Sequence, residues 1–203
     1  MYNSVHVLSE RHAQPLGVFT SDHVGLFCAC PMNPSSRNTV EALFKQAKSL
    51  APDDPSAPLP PMEGFPDVPQ WHRFEHSLWA IGEQIRHALN QQPKLRSDRS
   101  LYAEFLAIVQ NRHARRGRQN FVLLFAYRSC LAWAHDLACV LPDSDIDGQI
   151  ISALYKMRAP GFSATVAPFL SSSATWIRKE ARRYMIFDLD APIANERSAR
   201  TQL

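Results

Sequence analysis

The chain has 203 residues, a formal net charge of +3, 45% hydrophobic residues and only 7 glycines. That apolar share excludes a wholly disordered chain, and the scarcity of glycine argues against a turn-rich sandwich or barrel. So small a net charge also excludes a global field for nucleic acid, which leaves uneven charge as the way to build a local one.

From the N-terminus, Val5–Leu8, Leu16–Thr20 and Gly25–Cys30 have the character of short strands or irregular covering, split by Pro15 and Ser21-Asp22-His23. No secretory leader is expected, because Met1–His6 lacks a basic stretch followed by an apolar core. The longest apolar runs, Val24–Cys30 and Phe121–Tyr127, fall far short of the roughly 18–20 residues a spanning helix needs. The chain is therefore expected to be cytoplasmic, with no membrane contact and no structural disulfide among its 4 cysteines.

Asn38-Thr39-Val40-Glu41 looks like a capping box, and Val40, Leu43, Phe44, Ala47 and Leu50 continue it at helical spacing. Most of the 15 prolines lie between Pro31 and Pro69, so the stretch after that helix is a stiff connection without regular structure. A second helix is predicted from about Pro69 to Asn90, with Trp71, Phe74, Leu78, Ile81, Ile85 and Leu89 as its apolar stripe. A third begins near Ser97 and carries Leu101, Phe105, Ile108 and Val109. Asn120–Leu141 is apolar on almost every side and reads as one helix packed all round, at the centre of the domain. Short helices follow at Asp143–Met157, Phe162–Leu170 and Ala174–Phe187, divided by Ala159-Pro160-Gly161 and Ser171-Ser172-Ser173.

Ala167-Pro168-Phe169-Leu170 ends one of these helices, and Trp176-Ile177-Arg178-Lys179-Glu180-Ala181 opens the next. A proline-bearing helix, a short turn and a β-branched residue followed by arginine and a small residue resemble a HEAT repeat, over roughly residues 147–187. The resemblance implies antiparallel helix pairs stacked into a short right-handed array that binds other proteins. The expected fold is mainly α, and the expected organisation is an irregular or short-stranded segment over residues 1–37 and a helix with its proline-rich connection over 38–68. A helical domain follows over 69–187, then a tail over 188–203.

Four constellations carry possible chemistry. His72-Arg73-Phe74-Glu75-His76 has the H-x-x-E-H spacing in which two histidines hold zinc and the glutamate acts as base. Placed on a helical wheel, His72, His76 and His87 fall opposite the apolar stripe, which points to an exposed polar face. Asp143-Ser144-Asp145-Ile146-Asp147-Gly148 matches the start of an EF-hand loop, but Leu154 stands where the bidentate carboxylate belongs, and helix capping accounts for the acids. His23, Cys28 and Cys30 lack metal-ligand spacing and any sign of thiol activation.

The fourth constellation is basic. Lys94, Arg96, Arg99, Arg112, Arg115, Arg116 and Arg118 face only Asp98 and Glu104 in the same stretch, and Arg178, Lys179, Arg182 and Arg183 form a second set on the last helix. Arg112, Arg115, Arg116, Arg118, Arg178, Lys179, Arg182 and Arg183 are accordingly the residues expected to contact a partner. The leading expectation is a non-catalytic helical module that binds another protein, an acidic one by charge, as an inhibitor, an immunity protein against a toxin, or an adaptor. No cofactor is expected. The alternatives are a metal-dependent hydrolase built on His72, Glu75 and His76, and a nucleic-acid-binding module using the arginines.

Overall fold

In α1 (Pro34–Leu50) the buried side chains Val40, Phe44 and Ala47 recur every three or four residues, so one side of the helix is apolar and must be covered. Its cover is α2 (Arg73–Gln91), where Leu78, Ile81, Ile85 and Leu89 are buried at the same spacing. The computed structural model from which these positions are taken describes residues 34–52, 62–63 and 71–190, which fall in one compact unit and are mainly helical. The three N-terminal runs, the His23, Cys28 and Cys30 group, most of the proline-rich connection and the tail beyond Asp190 lie outside the described residues.

A two-residue strand β1 (Met62–Glu63) pairs antiparallel with β2 (Trp71–His72), which leads directly into α2. The second helix thus starts at Arg73, four residues later than its periodicity suggests, because Trp71 and His72 are held extended by that pairing. A 3-10 turn at Pro93–Ser97 follows, and α3 (Arg99–Gln110) opens on Asp98, whose carboxylate accepts from Ser100 N at 3.1 Å and Leu101 N at 3.2 Å. Phe105 of α3 is the hub of the core, meeting Phe44, Tyr102 and Phe121 edge to face.

Past α3 a 3-10 segment, Arg112–Arg118, crosses α2 and enters α4 (Gln119–Leu123). Glycine makes both crossings possible. A Cβ on Gly117 would stand 2.8 Å from Leu78 Cβ, and one on Gly82 would stand 2.7 Å from Asn120 Cβ.

The single helix expected over Asn120–Leu141 does not exist. The chain forms α4, a turn, a 3-10 segment at Arg128–Trp133 and α5 (Ala134–Ala138). Just past α4 the Tyr102 hydroxyl donates to Leu124 O at 3.1 Å, and Tyr127 is extended at φ −135°, ψ 150°, where the helical path stops. Phe121, Val122, Leu124 and Phe125 are buried in close succession while Leu131 is 48% exposed, and so dense an apolar run carries no helical period to mark where the helix stops.

Next come α6 (Asp147–Met157), α7 (Ser163–Val166) with a 3-10 extension at Ala167–Ser171, and α8 (Thr175–Asp190). The expected break between α6 and α7 is present, with Arg158 at φ 58° and Gly161 at φ 91°. Helix α8 lies along α6 and against α7, with Ala181 and Tyr184 buried. Tyr184 donates to Ala159 O at 2.6 Å, and the Asp188 carboxylate accepts from Gly161 N at 2.6 Å and Ser163 N at 3.1 Å. No described helix is long and apolar enough to cross a membrane.

Candidate functional site

The H-x-x-E-H segment is divided between two kinds of backbone. His72 belongs to β2, so the helical wheel that put it opposite the core does not apply, and it is buried at 4% exposure. Glu75 sits in the first turn of α2, on the side of Leu78, Gly82 and Leu89, and is 2% exposed. Its Oε2 accepts from His72 N at 2.6 Å, closing the start of the helix, and its Oε1 accepts from Arg116 N at 3.1 Å with Arg115 Nε at 3.7 Å. Both oxygens of the expected base are thus engaged by the protein itself. His76 is exposed and stacks on Trp71 with centroids 4.9 Å apart, and His87 contacts Gln91 Nε2 at 2.9 Å. Among the described residues no group of three or more His, Cys, Asp and Glu side chains is placed to hold a metal ion.

The acidic loop and the arginine segment, read separately in the sequence, meet in space. Arg118 is fully buried and donates from Nη2 to Asp143 Oδ2 at 2.9 Å, from Nη1 to Val109 O at 3.0 Å and from Nε to Arg115 O at 2.8 Å. Its Nη2 also lies 3.9 Å from Asp145 Oδ2, while Arg116 Nε is 3.6 Å from Asp145 Oδ1 and Arg112 Nε is 4.0 Å from Asp143 Oδ2. Gln119 Nε2 donates to Asp145 O at 2.9 Å, and Asp147, itself buried, accepts from Asp143 N. The calcium-like loop is therefore closed by arginine, and Leu154, at its twelfth position, is buried in the core. Burial foremost, and then the charges of Asp143 and Asp145, push the Asp147 carboxyl above its ordinary range.

Arg115 makes this double attachment possible. At φ 47°, ψ −133° it occupies a conformation that side chains other than glycine rarely adopt, and the chain turns there inside a seven-residue segment. Glu75 holds the segment from α2, and Asp143 and Asp145 hold it from the loop before α6. Arg118, expected on a partner-binding face, belongs to the core, because a guanidinium ringed by two carbonyls and a carboxylate has its donors satisfied inside. Arg112, Arg115 and Arg116 keep side-chain exposures of 66%, 34% and 37%.

The second basic set divides in two. Arg178 donates to Ser172 O, to Ser173 O at 2.9 Å and to Thr175 Oγ1 at 2.9 Å, capping the turn before its own helix. Arg183 pairs with Glu180 at 2.9 Å and lies over the Tyr155 ring at 4.7 Å. Lys179 and Arg182 are exposed and make no salt bridge with any described residue. Ile186 at 63% exposure and Leu189 at 79% accompany them within an arc of about 80°, at 3.6 residues per turn. The sequence reading passed over these two apolar residues, although their helical offset from Lys179 and Arg182 was available in the sequence. Trp176 is 48% exposed, with its ring tip resting on Gly148. The two basic sets pack mainly on different helices: Arg112–Arg118 on α2, α3 and α4, and α8 on α6 and α7.

No protein-family model matches the chain, and no curated protein and no solved structure matches it.

Proposed function

We propose that this chain is a non-catalytic helical module that binds an acidic protein, in the manner of an inhibitor, an immunity protein or an adaptor. The observation that carries the reading is the outer face of α8, where Lys179 and Arg182 stand without an ion-pair partner among the described residues, beside exposed Ile186 and Leu189. Unpaired cations on a rigid helix select and steer a partner of opposite sign, and neighbouring apolar side chains supply contact area to exclude water around them. The carboxylates that a hydrolase or a calcium site would need are engaged by backbone amides and arginines, which favours binding over catalysis.

The HEAT-like reading belongs to the same proposal. Helix α7 with its 3-10 extension, and α8, form one helix pair stacked on α6, and α8 presents its outer face as the binding ridge. The test compares the full chain with its Lys179→Glu/Arg182→Glu variant, both immobilised and exposed to extract of the source cell, followed by titration of the purified retained protein. An acidic protein held by the wild type and weakened at least about tenfold by the variant, with the melting temperature unchanged, is the expected result. Equal retention by both proteins would overturn it.

A further inference from the structure

A cavity of about 230 Å³ lies where the Pro93–Ser97 turn, the start of α3 and the Arg128–Trp133 segment converge. Arg96 forms one wall. Its guanidinium stacks on the Tyr127 ring at 4.0 Å and donates from Nη2 to Asn90 Oδ1 at 2.6 Å, an oxygen that Tyr127 OH also approaches at 3.0 Å. The side chain is fixed, yet its Nε has no acceptor and its charge no carboxylate among the described residues. Arg99 lines the same cavity, exposed and likewise without an ion pair there. Asp98 is the one acid on the lining, and its carboxylate is turned to Ser100 N, Leu101 N, Ser100 Oγ and, at 3.2 Å, Arg37. These partners, the Ser100 hydroxyl foremost, hold it below the ordinary carboxylate range and answer its charge.

The cavity thus offers two uncompensated guanidinium groups, the hydroxyls of Ser97 and Ser129, and the half-buried aromatic side chain of Trp133. We propose that it binds a small phosphate monoester that carries a planar ring. Two cations and two hydroxyls supply more donors than a carboxylate can accept and match the dianion's charge and three terminal oxygens. The phosphate lies between Arg96 and Arg99, and the ring lies against Trp133. The volume of about 230 Å³ sets the ligand class at a small molecule, a phosphate with the ring system it carries. This site is separate from the α8 face and does not rest on the function proposed for it.

Calorimetric titration of the full chain with inorganic phosphate, phenyl phosphate and adenosine 5′-monophosphate tests the assignment, and the last two separate a simple aryl ester from a nucleotide. At least one ring-bearing ester should bind about tenfold more tightly than inorganic phosphate. Arg99→Gln, an exposed change that leaves the fold intact, should weaken it about fivefold or more. Arg96→Gln should do the same, with melting temperature as the check on the lost Tyr127 stacking. Trp133→Leu should remove the preference for the ring while keeping the affinity for phosphate. Absence of binding by all three ligands at millimolar concentration would overturn the proposal. Equal binding of all three, or affinities untouched by Arg99→Gln, would do so too.

Discussion

Replacing Arg118 by Met keeps most of the side-chain volume and removes the charge at the junction of the two halves of the fold. Arg118 is fully buried, and the Asp143 side chain it contacts is 9% exposed. The substitution therefore leaves a carboxylate with little access to water and strips Val109 O and Arg115 O of their donor. Breaking a buried pair from one side costs about 3–5 kcal/mol. A chain of this size loses roughly 2–4 °C per kcal/mol, which gives a fall in Tm of roughly 6–20 °C by circular dichroism or calorimetry. Removing the stranded charge as well, in Arg118→Met/Asp143→Leu, should restore part of the loss, so that the double variant is more stable than the two single effects added together. Melting of Arg118→Met within about 2 °C of wild type would refute the reasoning. So would single effects that add to within about 0.5 kcal/mol, since the pair would then not be coupled.

Ala181, fully buried between α8 and α6, should tolerate Glu badly: a loss on the order of 3 kcal/mol or more is expected in denaturant unfolding. Asp147→Asn should raise Tm at pH 7. The folded-state carboxyl is pushed upward by burial, so its ionisation opposes folding at every pH above that raised value, and the advantage of Asn should shrink as pH falls toward the unfolded value near 4. Millimolar calcium should leave Tm unchanged, because Asp143 and Asp145 already face Arg118 and Arg116 and Leu154 offers no oxygen; a rise of several degrees that Asp145→Asn abolishes would contradict this.

The sequence is most legible where a local rule acts alone. The stripe Leu78, Ile81, Ile85, Leu89 marks α2, and the breaks at Ala159-Pro160-Gly161 and Ser171-Ser172-Ser173 divide the last helices as expected. It is least legible where the deciding partner is distant. Glu75 takes its second set of contacts 41 residues away, and Arg118 meets Asp143 across 25 residues. Read locally the acids belonged to a zinc-like helix and to a partial calcium-like loop, and only the fold shows that the Arg112–Arg118 segment answers the charges of both. Opposite sign was the available signal: the Arg112–Arg118 segment has no acid of its own, and the three aspartates that follow 25 residues later have no base among them. The end of α4 was hidden for the same reason, since the carbonyl just past it is taken by a hydroxyl from another helix, that of Tyr102.

The Arg112–Arg118 segment bears on how such a chain can change over generations. Arrays of stacked helix pairs usually gain and lose end units freely, because each pair touches only its neighbours. Here a buried cation upstream of α4 depends on Asp143 and Asp145 in the loop before α6, so a deletion running from that loop through α8 takes away the counter-charges of a residue left behind in the core. Shortening the chain at that joint requires a simultaneous change at Arg118, which ties the two halves into one unit of inheritance although each has its own helices.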